Sequence, residues 1–169
     1  QVFCGPDPCG TLRQRQNAGD VNATGIEGQL TDAISERLNA WGAIALTNAR
    51  YAAGQLEGLR PAQAPRATVT GGASWQALDR LSLGAQLHWE SQRYDDDRNT
   101  LRLGAAFVLD ARATYNISER LAAYLALDNL TDANVATAAS ARVPGDPALG
   151  EILSYAQPRM AWLGLSYAP

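Results

Sequence analysis

The chain has 169 residues, of which 46% are hydrophobic and 18% are charged, and its formal net charge is −3. The length fits one domain, and the charged fraction lies below the ~25% that is usual in soluble domains. No basic cluster points to nucleic acid, and no apolar run approaches the ~18 residues of a membrane helix. We therefore expect neither a nucleic-acid-binding protein nor a helical membrane protein.

Both cysteines, Cys4 and Cys9, lie near the start in Cys-Gly-Pro-Asp-Pro-Cys. Residues 1–4 are expected to end a strand, and the prolines and glycine predict a loop tip. A disulfide here would stabilise the chain by ~2 kcal/mol and would need an oxidising compartment. Two free thiols are the alternative. No signal peptide precedes Gln1, so we expect a processed chain or a fragment.

Apolar and polar residues alternate along most of the remaining sequence, which is typical of β-strands. Short polar turns are expected at residues 32–37, 77–80 and 116–120, and long loops at residues 50–65, 95–101 and 133–153. The predicted strands cover residues 11–31, 38–47, 66–76, 81–94, 107–116, 121–128 and 155–167.

A short motif recurs at the turns. Ile-Ser-Glu-Arg-Leu occurs at residues 34–38 and again at 117–121, and residues 77–81 are a close variant. The spacing of about forty residues corresponds to a hairpin plus a longer loop. Tight turns on one side and long loops on the other are the layout of an up-and-down outer-membrane barrel. A WD-repeat propeller has a similar period, but its signature is absent from the sequence.

Each predicted strand has one apolar face and one face of small and polar residues. The hairpin at residues 107–128 shows this most clearly, with apolar runs of about ten residues, the length that a tilted strand needs to cross a bilayer. A soluble sandwich would carry more charge on its polar face. The aromatic residues near predicted strand ends, which would form interfacial girdles, are Trp75, Trp89, Trp162, Tyr115 and Tyr167.

The sequence thus predicts an all-β fold. We expect an antiparallel up-and-down meander of about seven to eight strands, a segment of a large transmembrane β-barrel with short turns on one side and long loops on the other. The sheet is expected to be open and curved, with bare edges. Pairing of residues 11–18 with residues 160–167 would contradict an open sheet that is part of a larger barrel. A second layer over the apolar face would contradict a membrane barrel.

Six sets of segments follow one another along nearly the whole chain. They are Arg15-Gln16-Asn17-Ala18-Gly19 with Gly25-Ile26-Glu27; Ala64-Pro65-Arg66; Gln92-Arg93-Tyr94-Asp95-Asp96; Val108-Leu109-Asp110-Ala111-Arg112; Asp128-Asn129-Leu130-Thr131-Asp132; and Pro158-Arg159 followed by Trp162-Leu163-Gly164-Leu165-Ser166-Tyr167. This ordered set resembles the C-terminal part of a TonB-dependent outer-membrane receptor.

The resemblance implies a barrel of about 22 strands with an N-terminal plug, in the outer membrane of a Gram-negative bacterium. Residues 1–169 would be the C-terminal portion of that barrel, without the plug. Such a receptor is not an enzyme and needs no cofactor. It takes up a scarce ligand such as a ferric siderophore or cobalamin. Its implied partners are outer-membrane lipid, the TonB complex through the plug, and the barrel-assembly machinery. That machinery reads an aromatic residue at the C-terminus. Tyr167 fits the second aromatic of this signal, although Pro169 is the last residue.

Five polar residues are candidates for a lumen-facing cluster. His88, Glu90 and Gln92 alternate along one predicted strand, and Asp110 and Arg112 alternate along a neighbouring one. Catalysis would require a nucleophile or a metal as well as an acid–base pair. We therefore expect a hydrogen-bonded wall in a wet lumen, with Asp110 and Arg112 paired to charges on adjacent strands or on the plug.

Arginine and tyrosine residues near the long loops are candidates for ligand binding, because these side chains suit an anionic, aromatic ligand such as a ferric chelate. Interface anchoring is the alternative. These residues are Arg50, Tyr51, Arg93, Tyr94, Arg98 and Arg102. Three consecutive aspartates, Asp95 to Asp97, offer oxygen ligands for a cation. Because neighbouring side chains on an extended chain point apart, we expect a solvated loop and no metal site.

Two other functional classes remain open at this stage. One is a small, self-contained outer-membrane barrel of about eight strands with a structural or adhesive role. Its first strand would have to pair with its last, and its interior would be filled by side chains. The other is a soluble β-sandwich that acts as a binding module. Such a module would fold in plain buffer without detergent.

Overall fold

The computed structural model describes residues 2–3, 11–12, 19–140 and 152–168. Cys4 and Cys9, with the predicted disulfide, lie outside the described residues. Within the described part, no helix is long and apolar enough to cross a bilayer, and the one helical segment is a 3-10 turn at Gly54–Leu56. The strands are β1 Val2–Phe3, β2 Thr11–Leu12, β3 Val21–Ser35, β4 Leu38–Tyr51, β5 Ala67–Leu78, β6 Leu81–Glu90, β7 Arg93–Tyr94, β8 Arg102–Leu103, β9 Ala106–Asn116, β10 Leu121–Asp128, β11 Ala136–Ser140, β12 Ile152–Tyr155 and β13 Met160–Tyr167.

Seven strands form one antiparallel sheet in the order β13-β10-β9-β6-β5-β4-β3. Successive strands of this sheet are joined alternately by a short turn at one end, the turn end, and by a long connection at the other, the loop end. The long connections are residues 52–66, 91–105 and 129–159, referred to below as the first, second and third connections. The predicted up-and-down meander is therefore confirmed.

Several predicted boundaries were wrong. The first turn is only Glu36–Arg37, because β3 stays paired with β4 as far as Ser35, past a bulge near Ala33. The polar residues 32–37 predicted a turn, but Asp32 and Ser35 are paired with Ala40 and Leu38 of the partner strand, and this pairing extends the hairpin. The predicted strand over residues 11–31 is described as β3 only from Val21.

The ends of two other predicted strands also differ. β6 ends at Glu90, and Arg93–Tyr94 leaves the sheet to pair with Arg102–Leu103. The predicted loop 133–153 instead contains β11, which pairs with β12. The last sheet strand begins at Met160 and not at residue 155. Pro158, which has no backbone N–H for a ladder, separates β12 from β13.

The strand register sorts the side chains onto two faces. One cross-sheet row of the apolar face runs Trp75, Leu83, Ala113, Leu125 and Leu163. No second layer of the described chain covers this face, and Leu163 is 84% exposed. The buried hydrophobic residues of the described part all belong to the loop end: Tyr51, Leu103, Ala106 and Ala139. The sheet itself therefore has no protein core, which excludes a sandwich for this part of the chain.

Aromatic residues lie at both ends of the apolar face. Trp75, Tyr115 and Tyr167 are on it near the turn end, and Trp89 is on it near the loop end. Trp162 was also expected in a girdle, but the register pairs it with Ala126 on the opposite, polar face. There its indole N–H donates to the Asp128 carboxylate at 2.8 Å.

On the polar face, two large aromatic side chains lie across glycines of the neighbouring strand. Tyr124 is paired with Gly164, where a Cβ would stand 2.5 Å from the tyrosine ring. Trp41 is paired with Gly72, where a Cβ would stand 2.8 Å from the indole nitrogen. Arg112 also lies on the polar face, with its guanidinium carbon 4.5 Å from the centre of the Tyr124 ring. The two glycines thus create the space that these rings occupy.

The sheet is open within the described residues. β13 pairs only with β10, and β3 pairs only with β4. Thr11–Leu12 pairs with Val2–Phe3 and not with β13. The pairing that would have favoured a small closed barrel is therefore not found among the described residues, and both edges present unpaired backbone groups.

Ala85 provides a test of which face meets lipid, because it lies midway along the apolar face and its neighbour Gln86 lies on the polar face. Arginine at the bilayer midplane costs ~2–4 kcal/mol on the lipid side of a barrel. We expect Ala85→Arg to reduce the folded, membrane-inserted fraction of the full-length protein, as measured by heat-modifiable gel mobility. Gln86→Arg, opposite Asp110, should insert normally. Equal insertion of both variants would contradict the assignment of faces.

Gly164 provides a test of the packing on the polar face. Gly164→Ala forces the Tyr124 ring away or shifts β13, and overpacking of this kind costs ~1–3 kcal/mol. We expect a lower denaturant midpoint for the variant protein in detergent, and recovery of that loss when Tyr124→Ala is added. Gly84→Ala is the matched control, since its Cβ would lie 3.8 Å from the nearest atom. An equal loss in both alanine variants would refute the role given to Tyr124.

Candidate functional site

The loop end holds most of the side-chain hydrogen bonds of the described residues, and it includes all six residues predicted to bind ligand. Tyr51 is 6% exposed and Arg93 is 8% exposed. The Arg93 guanidinium is bonded to the Glu90 carboxylate, to Gln63 Oε1 at 2.6 Å and to the Ala136 carbonyl at 3.4 Å. These two residues are thus part of the structure of the loop end, and neither presents a free surface to a ligand.

The other four residues predicted to bind ligand differ in their burial and in their hydrogen bonds. Tyr94 is partly buried in β7. Arg50 donates to the Gly58 carbonyl, and Arg102 donates to Gln92 Oε1, with both arginines exposed. The Arg98 side chain is exposed, and no partner for its guanidinium is found among the described residues. Of the six residues predicted to bind ligand, the exposed cations are therefore Arg50, Arg98 and Arg102.

We expected the three consecutive aspartates to be solvated, but each of them accepts hydrogen bonds within the loop end. Asp95 accepts from Gln63 and from the Ala139 N–H, and Asp97 accepts from the Ala62 N–H at 2.8 Å. Asp96 accepts from residues 100 and 101. The three carboxylates therefore point to different parts of the loop end, and no metal-type grouping of His, Cys, Asp or Glu occurs among the described residues.

Asp96 closes the turn at the tip of the second connection. Partial burial acts to raise its pKa, but hydrogen bonds from the Leu101 N–H, the Thr100 hydroxyl and N–H, and the Arg98 N–H outweigh that effect. The pKa of Asp96 is consequently below its usual value of 3.8. Asn99, at φ 58°, completes the turn and bonds to both the N–H and the carbonyl of Arg60.

The five residues predicted for the lumen wall do not form one cluster. His88 and Glu90 share the polar face of β6, with His88 Nε2 3.9 Å from the Glu90 carboxylate. Gln92 lies beyond the end of β6, so the period-two argument did not apply to it. Asp110 accepts the Asn129 N–H at 2.8 Å, and Arg112 stacks on Tyr124 instead of pairing with a charge of the described chain.

Asn129 was not identified from the sequence as a structural residue. It is 5% exposed. Its side-chain amide donates to the carbonyls of Ala133 and Gln157, and its side-chain oxygen accepts the Ala133 N–H. With its N–H on Asp110, Asn129 joins the end of β10 to β9 and to the segment before β13. Its occurrence in the sequence Asp-Asn-Leu-Thr-Asp was the available signal, but the partners lie 19 and 28 residues away.

Acid should loosen the turn that Asp96 closes. Because the ionised carboxylate is the form that its donors stabilise, the stabilisation is complete above the usual pKa of 3.8 and is lost as the pH falls through the lowered value. We expect the hydrogen-exchange protection factors of Thr100 and Leu101 in the full-length protein to decrease between pH ~5 and pH ~2. In Asp96→Asn, which cannot titrate, protection should be weaker and independent of pH; a parallel pH dependence in this variant would contradict the assignment.

Comparison with known proteins supports the fold and the resemblance. Residues 1–130 match the family described as TonB dependent receptor-like, beta-barrel. Over 105 residues the chain is 28% identical to the ferrichrome outer membrane transporter/phage receptor of Escherichia coli K12, which covers 59% of this chain and 14% of that protein.

Two solved structures show the same architecture. The siderophore receptor PiuA of Acinetobacter baumannii superposes with a TM-score of 0.75 at 20% identity, covering 88% of this chain and 22% of that one. The ferric yersiniabactin uptake receptor FyuA of Yersinia pestis superposes with a TM-score of 0.76 at 19% identity, covering 88% of this chain and 23% of that one.

The chain thus spans less than a quarter of the length of each of these relatives. TonB-dependent receptors are receptors and transporters, and this agrees with the prediction that the chain is not an enzyme. The matched residues and the open antiparallel sheet lead to the same conclusion, that the chain belongs to the β-barrel family of the TonB-dependent receptors.

Proposed function

We propose that residues 1–169 are the C-terminal portion of the barrel of an outer-membrane receptor that imports a ferric siderophore in a Gram-negative bacterium. The observation that carries this proposal is a seven-stranded sheet whose apolar face is uncovered within the described residues and whose opposite face is polar. Such a sheet is stable where hydrocarbon meets one side and water meets the other. In the part of the chain that the structure describes, β3 and β13 are open edges, which supports a part of a larger barrel over a small closed barrel.

The ligand class is supported by the relatives, whose names specify ferrichrome transport, a siderophore receptor and ferric yersiniabactin uptake. Energy would come from TonB, which would contact the plug, and the barrel-assembly machinery would insert the folded sheet. Arg50, Arg98 and Arg102 supply exposed positive charge at the loop end, which suits an anionic ferric chelate.

The proposal can be tested by uptake in the native host. The gene that encodes the full-length protein is deleted, and entry of 55Fe-ferrichrome, 55Fe-yersiniabactin and a panel of other 55Fe-siderophores is measured with and without TonB. We expect the deletion to abolish TonB-dependent uptake of at least one ferric siderophore, and complementation to restore it. Unchanged uptake of the whole panel, with the protein present in the outer membrane of the wild type, would refute iron–siderophore import.

Arg98 is the sharpest single-residue test of the ligand surface. It is exposed and has no partner for its guanidinium among the described residues, so its removal should disturb the fold little. Since a hydrogen bond to a charged group contributes ~1.5–3 kcal/mol, we expect Arg98→Ala to weaken binding of the imported siderophore at least tenfold. Fluorescence titration of the purified full-length receptor measures this.

Arg37→Ala is the control for that measurement. Arg37 is also an exposed arginine, but it lies at the turn end and pairs with Asp79 at 2.9 Å. Its loss should leave siderophore affinity unchanged. If Arg98→Ala binds as tightly as the wild type, Arg98 is not a ligand contact.

A further inference from the structure

Gln63 uses its backbone N–H and both polar groups of its side chain to join the three long connections. Its N–H donates to the Tyr94 carbonyl at 2.7 Å, and its side-chain oxygen accepts from Arg93 at 2.6 Å. Its side-chain N–H groups donate to the Asp95 carboxylate and to the Thr137 carbonyl, the latter at 3.2 Å. Gln63 belongs to the first connection, Arg93 and Asp95 to the second, and Thr137 to the third.

Arg93 and Asp95 extend these contacts to β11 of the third connection. Arg93 donates to the Ala136 carbonyl at 3.4 Å, and Asp95 accepts the Ala139 N–H at 2.8 Å. Among the described residues, every hydrogen bond between β11 and the other two connections involves Gln63, Arg93 or Asp95. We call these three residues the loop clamp.

The first and second connections have further hydrogen bonds that do not depend on the loop clamp. The Arg60 N–H and carbonyl bond to the Asn99 side chain at 3.0 and 2.8 Å, and the Ala62 N–H donates to Asp97 at 2.8 Å. Removal of the Gln63 side chain should therefore leave these two connections joined. The hydrogen-bonded attachment of β11, in contrast, should weaken.

The backbone conformation of Gln63 is unfavourable for a residue with a side chain. Its φ is 58°, a left-handed conformation that costs an ordinary L-residue roughly 1 kcal/mol. Glycine would adopt this conformation without strain. Glutamine at this position therefore offsets a backbone cost through the contacts that its side chain makes.

We propose that Gln63 is a positioning residue that, through Arg93 and Asp95, holds β11 against the first two connections, so that the loop end behaves as one body. A displacement of the second connection, which carries Arg98, is then transmitted to the third connection. This inference concerns the coupling of the connections and holds whichever ligand the receptor imports.

Hydrogen exchange of the full-length receptor in detergent tests the coupling. The informative variant is Gln63→Gly, which removes the side chain and also relieves the backbone strain. We expect its protection over residues 136–140 to fall at least tenfold, while protection over residues 58–62 and over β9 stays within twofold of the wild type. Arg98→Ala, which changes an exposed side chain of the second connection, should leave protection over residues 136–140 unchanged.

A double-mutant comparison shows whether the residues act as a unit. Asp95→Ala alone should also expose residues 136–140, and the combination with Gln63→Gly should expose them no further, because coupled contacts are non-additive. Wild-type protection of residues 136–140 in Gln63→Gly would overturn the proposal. A uniform loss across residues 58–62, 136–140 and β9 would also overturn it, since that result indicates general destabilisation. Neither outcome depends on siderophore uptake, so failure of this inference is separable from failure of the proposed function.

Discussion

The structure depends on contact between one face of the sheet and a non-aqueous medium. A sheet of seven strands usually stabilises itself by burying an apolar face against another layer. Here nothing in the described part of the chain covers that face, and Leu30 is 72% and Leu163 84% exposed. Since burial of apolar surface contributes ~25 cal/mol per Å², leaving this whole face in water would remove the main driving force for folding. In an outer-membrane barrel, lipid would supply the missing layer, and the polar face could then remain wet.

This arrangement explains why the packing of the molecule is divided between two regions. Within the membrane-spanning sheet, local interactions suffice: backbone ladders, ring-over-glycine contacts and the Arg112–Tyr124 stack. At the loop end the chain leaves the ladder and has no lipid to cover it. There it buries Leu103 and Ala139 and satisfies its backbone through the side chains of Asp95, Asn99 and Asn129. Much of the side-chain burial and of the side-chain hydrogen bonding is therefore in the connections.

The sequence predicted the sheet well and the loop end poorly, for a physical reason. Alternation with period two is a local property, so the strands, the faces of Leu83 and Gln86, and the alternation of short and long connections could all be derived from neighbouring residues. The partners of Gln63 lie 30, 32 and 74 residues away. No local pattern encodes such contacts, which is why Arg93 and Tyr51 were predicted to bind a ligand although the fold buries them.

The repeated pentapeptide shows the same limit within a single motif. In both copies the serine hydroxyl accepts the N–H of the arginine two residues later, at 3.3 Å. At the first copy, however, Ser35 pairs directly with Leu38 across a two-residue turn. At the second copy, β9 has already ended at Asn116, and the N–H groups of Ile117 and Ser118 both donate to the Leu121 carbonyl. Five identical residues thus close two different turns. The two hairpins stop pairing at different points, and this leaves different lengths of chain for the turn to span.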